Sequence, residues 1–344
     1  MQQVSATSMG VWLRICLTVY AGRNRSWAYR MRDIRLIHAP SNLGLRPLRP
    51  GHVPGAWRAP EALRKAGLAE VVAPGAVVDI ERPAYSAEPE PDTRLRNGHA
   101  IRRFNLELAD ATADALGRGE WPLIIGGDCS VLLGALAAAR RSGPVALVHV
   151  DGHSDFRHPG NYDVNAMLGS AAGMDLALAT GRGEPLLTEW PGIAGPLVAD
   201  EAVVQIGERN SRDPGFAWAD INATAITRID VFAAREAGAI GVLETTKAVL
   251  VRADCPYWLH LDVDVLDQTL MPAVDSPGSP GIDPDDLVAI LSPLAADRRC
   301  IGMDMTIFDP DLDPSGELAR LLVSLLGRIV RPLSSAPPAS PPPG

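Results

Sequence analysis

A chain of 344 residues, 47% hydrophobic and 21% charged, has a globular balance and enough apolar residues for a sizeable core, in one large domain or two small ones. Its net charge of −9 carries no basic stripe, which excludes nucleic acid as a partner; the acidity reads first as solubility and also suits metal-binding carboxylates and a cationic substrate. Four cysteines without a CxxC pair exclude a disulfide scaffold and point to a reducing cytoplasm, and no apolar run reaches the roughly 20 residues that span a bilayer.

Residues 1–32 show no clean period and a basic end at Arg23, Arg25 and Arg30. They are expected to be an N-terminal extension read from an upstream start codon, with Met31 as the alternative beginning. Residues 10–21 are apolar but carry Arg14 and lack the charged start and cleavage site of a signal peptide. The main domain is expected over 33–331, followed by a Pro-rich, disordered tail at 332–344. Within the domain, apolar runs predict strands at 34–38, 77–80, 122–125, 145–150, 203–206, 257–261 and 300–304. Helices are predicted at 60–66, 101–118, 130–141, 231–237, 243–251, 284–295 and 315–330. This alternation predicts an α/β fold with a mainly parallel sheet, in which ligands collect where strands end. Loops 83–98 and 268–283 are rich in Pro, Gly and Asp, and the second is expected to wall a pocket.

Three of the strands end in chemistry. The strand at 145–150 runs into Asp151-Gly152-His153-Ser154-Asp155, and the strand at 257–261 into Asp262-Val263-Asp264. In extended backbone, alternate residues face one side and converge. A lone Asp at a strand end is usually a helix cap or an Asx-turn. Four with a histidine are costly to crowd together without cations, so Asp151, His153, Asp155, Asp262 and Asp264 are candidate metal ligands. The strand at 122–125 runs into Gly126-Gly127-Asp128-Cys129-Ser130, with Ser130 a predicted N-cap and the glycines free to take unusual angles. His149 and His260 lie inside strands and are read as buried structural residues.

Together GGDCS, DGHSD and HLDVD resemble the ureohydrolase family (arginase, agmatinase, formiminoglutamase), whose patterns GGDHS, DAHxD and SxDxD occur in the same order at similar spacing. The resemblance covers 33 to about 330. It implies a three-layer α/β/α sandwich, a trimer or hexamer, and two Mn(II) ions whose bridging hydroxide attacks a guanidinium or amidine carbon of a small substrate. By position, Cys129, Asp151, Asp155 and Asp262 surround one ion, and Asp151, His153, Asp262 and Asp264 the other. Asp155 passes the proton to the departing nitrogen as the catalytic residue, and Asp128 orients a ligand from behind.

Three positions depart from the family. Cys129 replaces the histidine of GGDHS. As a thiolate it would admit other divalent metals; as a protonated core cysteine it would leave that ion short of a ligand. The His-Gly-x-Pro segment is matched by Ala172-Gly173-Met174-Asp175, so Ala172 stands where arginases have a proton-shuttling histidine, with the loop residue His158 as a nearby substitute. Ile307 stands where the family has a guanidinium-binding glutamate, which argues against efficient turnover of plain arginine or agmatine. Asp309 and Asp311 are alternatives for that role or caps of the last helix. Asn161 and Asp163 are expected at the mouth. Glu208, Arg209 and Asp213 either contact the substrate or are solvated loop charges.

The expected function is therefore hydrolysis of a non-peptide C–N bond in a guanidino- or amidino-like compound by a dinuclear, cytoplasmic homo-oligomer. The alternatives are a ureohydrolase homologue that binds metal or ligand with little turnover, and a deacetylase of the arginase-like fold.

Overall fold

Strands that are apolar at every position need cover on both faces, whereas alternating strands can leave one face to water. In the computed structural model, which describes residues 32–213, 216 and 218–334, β3 (Trp121–Gly126), β4 (Ala146–Val150), β5 (Val203–Ile206) and β7 (Tyr257–Asp262) are buried at every position. They lie inside an eight-stranded parallel sheet flanked by helices, in the order β2-β1-β3-β8-β7-β4-β5-β6. The remaining strands are β1 (Ile34–Ala39), β2 (Ala76–Asp79), β6 (Thr227–Ile229) and β8 (Cys300–Thr306). The two edges are the short strands β2 and β6, and β2 alternates between half-buried and exposed positions.

The α/β expectation is met, with an all-parallel sheet. The sequence reading does not predict the short helices Leu68–Val72, Asp175–Ala179 and Pro185–Thr188, and two further elements differ from it. Strand β6 escapes it because three residues, Thr227, Arg228 and Ile229, are too few to show a period. The predicted helices 231–237 and 243–251 are one element, Val231–Ala253, broken at Gly238, whose backbone (φ 66°, ψ 171°) leaves the helical region. The expected N-terminal extension, except Arg32, and the expected tail beyond Ser334 lie outside the described residues. Helix Glu317–Ser334 carries the domain past 331, and Arg32 is tied to it through a backbone bond to the Leu333 carbonyl (3.2 Å).

Helix Val131–Arg140 is buried along nearly its whole length and packs on Gly98–Gly117. Contact is close enough that Asn105 Oδ1 accepts the Gly134 N–H at 2.8 Å. Each fully buried aliphatic side chain in this core, such as Leu123, Val148 or Leu259, contributes roughly 1.5–3 kcal/mol. The four central strands β3, β8, β7 and β4 thus form a rigid base. Their carboxyl ends meet the loops on one sheet edge, as expected for a ligand site in an open parallel sheet.

Candidate metal centre

Each central strand is followed by an aspartate whose side chain accepts the backbone N–H two residues on. Asp128 accepts from Ser130 (3.0 Å), Asp151 from His153 (2.6 Å), Asp262 from Asp264 (2.7 Å) and Asp309 from Asp311 (2.9 Å). These Asx-turns stop each strand and swing the next side chains across the sheet edge. The expectation that extended backbone aims Asp151, His153 and Asp155 at one point is therefore corrected. Strand β4 ends at Val150, and Asp155 has φ 43°, a left-handed conformation that Asp tolerates better than most residues. Turns, not strand pleating, make the residues converge. The Asx-turn and metal-ligand readings hold together rather than exclude each other.

Convergence is tight. Ligand atoms of Asp151, His153 and Asp155 lie within 4.8 Å of one another, as do those of Asp151, Asp262 and Asp264. Asp151 belongs to both groups. His153 Nδ1 is 2.9 Å from Asp264 Oδ2 and 3.7 Å from Asp151 Oδ1, and Gly152 N donates to Asp264 Oδ1 at 3.0 Å. Burial and mutual repulsion push Asp151, Asp155 and Asp262 well above the usual carboxylate range. Burial disfavours the charged forms of His153 and Asp264 as well, but each charge outweighs that on the other: His153 is raised and Asp264 lowered. In this state a proton between His153 and Asp264 does the work of a cation.

Two glycines matter here for room rather than angle, contrary to the expectation for the GGD segment. A Cβ on Gly127 would sit 1.6 Å from the Ser41 carbonyl oxygen, so the loop after β1 can close onto β3 only over a glycine. A Cβ on Gly152 would sit 1.9 Å from Arg209 Nη2. Gly152 takes the place of the alanine in DAHxD, and the buried Arg209 guanidinium fills the room, donating to the Asp264 carbonyl.

His153, Asp155, Asp262 and Asp264 floor a cavity of about 280 Å3 with Ala172, Ile307, Arg46, Arg157 and Asp275 among its walls. Ile307 is a β-branched residue at φ 76°, its N–H bonded to the Gly127 carbonyl at 2.6 Å. Asp275, from the predicted wall loop, is pushed up to about 6 by burial and the nearby Asp264 charge. Nothing in the sequence singled out Asp275, Arg46 or Arg157, because loops bring them in from unrelated positions.

Cys129 stays against the floor, whereas other expected site residues go elsewhere. Cys129 is fully buried under the floor, its thiol raised by burial and by Asp262, to whose Oδ2 it donates at 2.9 Å. Asp128 makes its hydrogen bonds within its own turn and to the loop after β1. It is bound by Ser41 Oγ (2.5 Å) and by the Ser130 N–H, and Ser130 makes no side-chain cap. Asn161, Asp163, Arg209 and Asp213 do not line the cavity. Asn161 holds its own loop through the Phe156 carbonyl (2.8 Å) and Asp220, Asp163 accepts from Asn165 N (2.8 Å), and Asp213 accepts from Asn210 Nδ2 (3.0 Å). Glu208 pairs with Arg228 (2.9 Å), and His158 with Asp220 (2.7 Å). Asp309 and Asp311 bind the Gly55 N–H and Arg58 across the loops.

Whether these residues suit divalent ions is answered by the buried Asp151 Oδ2, which has no hydrogen-bond partner, and by the uncompensated repulsion among Asp151, Asp155 and Asp262. Oxygen donors with one imidazole, two groups sharing an aspartate, fit a pair of hard or borderline cations.

Comparison with known proteins agrees with this geometry. The arginase family profile matches residues 33–330. The arginase of Bacillus caldovelox is 31% identical over 317 residues, covering 87% of this chain and 98% of that protein. Its native crystal structure superposes with a TM-score of 0.75 at 28% identity, covering 87% and 98% of the two chains. The Bacillus cereus arginase structure gives 0.74 at 27% identity over the same shares.

Proposed function

The chain belongs to the arginase family, whose members are metal-dependent amidinohydrolases, and on that premise we propose that it hydrolyses a C–N bond in a small guanidino- or amidino-like compound other than plain arginine. The observation that carries this reading is the pair of ligand groups sharing the buried Asp151, whose partners His153, Asp155, Asp262 and Asp264 line the cavity. Asp151, His153, Asp155, Asp262 and Asp264 would hold two divalent ions, Mn(II) by family habit. When bound, the ions supply Lewis acidity and a water-derived nucleophile at neutral pH.

The chain's own residues do the rest. Asp155, at the cavity floor, holds a proton and delivers it to the departing nitrogen. Arg209 fixes the Asp264 backbone so that His153 and Asp264 keep their spacing. The apolar Ile307 wall offers no carboxylate to a guanidinium, so substrate orientation falls to Arg46, Arg157, Asp275 and Ser276. A substrate with an acidic end facing the arginines suits that wall.

The test is a panel of guanidines, hydroxyguanidines and amidines with and without acidic substituents, assayed with Mn(II), Ni(II), Co(II) or Zn(II). Release of urea, ammonia or amine is expected, fastest from acidic members. No product across the panel overturns hydrolysis and leaves the reading of a ligand-binding homologue, which Ala172 and Ile307 favour. Activity on acetylated amines alone would reassign the protein as a deacetylase.

A further inference from the structure

Beneath the cavity floor lies a second layer of ionisable groups that the proposed hydrolysis does not use. His149 and His260 face each other across β4 and β7, their rings stacked with centroids 4.7 Å apart. Asp175, which opens helix Asp175–Ala179, and Cys129 close the group. All four side chains are fully buried. Cys129 Sγ, an Asp175 oxygen and a His260 ring nitrogen lie within 4.8 Å of one another.

The hydrogen bonds leave this layer incomplete. His260 Nδ1 is 2.5 Å from Asp304 Oδ2, and an acceptor there places the ring proton on Nδ1. In the neutral ring Nε2 is then a lone pair; burial disfavours a second proton, but Asp304 and Asp175 outweigh it and draw one to the ring when no metal ion occupies the gap. Nε2 faces Asp175 Oδ2 at 3.5 Å, another acceptor, and neither atom has a hydrogen-bond partner. Two buried acceptors aimed at each other require something positive between them. We propose that Cys129 Sγ, Asp175 and His260 Nε2 bind a further cation of the zinc class, beneath the ions that Asp151, His153, Asp155, Asp262 and Asp264 would hold and next to Asp262, which Cys129 touches.

The donor set fits. Once metal binding displaces the proton that Cys129 gives to Asp262, one thiolate, one carboxylate and one neutral imidazole balance a divalent charge and prefer a borderline metal to Mn(II). Ligands of a tetrahedral zinc at about 2.0–2.3 Å stand roughly 3.3–3.8 Å apart, which brackets the His260–Asp175 distance. Each ligand also has the outer partner that metal ligands use for orientation. Asp304 holds His260 and is itself held by Trp258 Nε1 (2.6 Å); His149 Nε2 is 3.2 Å from Asp175 Oδ1; Thr306 Oγ1 is 3.1 Å from Cys129 Sγ. These three ligands also stand at the His of GGDHS, the Pro of His-Gly-x-Pro and the Ser of SxDxD. Departures in three separate motifs thus meet at one point.

Anomalous scattering from crystals of the wild-type protein grown with Zn(II) or Co(II) locates the ion directly. A peak within bonding distance of Cys129, Asp175 and His260 is expected. A peak on Cys129 shared with Asp151 and Asp155 instead, or no peak at Cys129, overturns the proposal by leaving the buried acceptors bridged by an imidazolium proton. In solution, the Co(II) protein should show a thiolate charge-transfer band that Cys129→Ser and Asp175→Asn both abolish. A band that survives Asp175→Asn is the opposing result. Neither readout depends on turnover, so hydrolysis can fail while the deep site stands, and the reverse.

Discussion

The floor and the wall of the cavity are built by different means. The floor hangs from Asx-turns on adjacent parallel strands, so Asp151, Asp262 and Asp264 are fixed by backbone N–H bonds at 2.6–3.0 Å from within their own turns and from Gly152. The wall is assembled from loops: Arg46, Arg157, Asp275 and Ile307 meet only because separate chain segments fold over the same opening. Rigid strand ends preserve a charge arrangement, whereas loops can change its surroundings without disturbing it. That division would let one sheet keep its acidic floor while the loops above it change.

If the floor is a metal device, its removal should have the largest effects. Asp262→Asn should lower turnover at least about a thousandfold, the scale of several kcal/mol of lost Lewis-acid stabilisation, with bound metal falling in parallel by elemental analysis. A variant that keeps full metal content and rate would break the comparison. Chelation should lower Tm by roughly 5 °C or more relative to protein saturated with metal. The metal-free protein should also respond to pH with a definite sign. Asp275 rises to about 6 in the fold, above its unfolded value, and burial and mutual repulsion raise Asp151, Asp155 and Asp262 as well. The fold then binds more protons than the unfolded chain, so its stability falls as pH rises from about 4 through 6 and beyond. Added metal should flatten that decline, a difference that calorimetry at several pH values would measure.

The same division explains what could be read from the sequence. The floor was legible because its residues sit at fixed offsets after apolar runs, where Asp151, His153 and Asp155 or Asp262 and Asp264 announce themselves. Pleat alternation does not account for their convergence, since side-chain-to-backbone turns at Asp151 and Asp262 do the aiming. The sheet was legible except β6, too short to show a pattern. The wall was not, because Asp275 and Arg46 have no sequence relation to the floor or to each other. Arg209 reads as a loop charge until the room left by Gly152 shows where its guanidinium lies. His149 and His260 were read correctly as buried, but burial says nothing of the unpaired Nε2 that makes His260 chemically interesting.

Support from beneath should matter less than the floor itself. Arg209→Met removes the guanidinium that binds the Asp264 carbonyl and should weaken metal binding roughly 10–100-fold, the usual cost of losing an outer partner. Saturating metal should restore most of the rate. An uncorrectable loss would move Arg209 from support into the wall.

The sharpest test of the wall is Ile307→Glu, even though its effect should be the smallest. Ile307 is almost fully buried at φ 76°, a region costing of order 1–3 kcal/mol for a non-glycine residue and more crowded still for a β-branched one. The fold tolerates that strain at the one place where the family pattern has a carboxylate against the substrate. A glutamate has no second branch at Cβ and reaches the cavity, so the backbone should accept it. A charge-assisted bond to a guanidinium is worth about 1.5–3 kcal/mol, so KM for simple guanidines should fall about tenfold or more while metal content stays unchanged. If KM for guanidines stays flat and metal content holds, substrate choice does not turn on this position, and the floor, not the wall, carries the specificity.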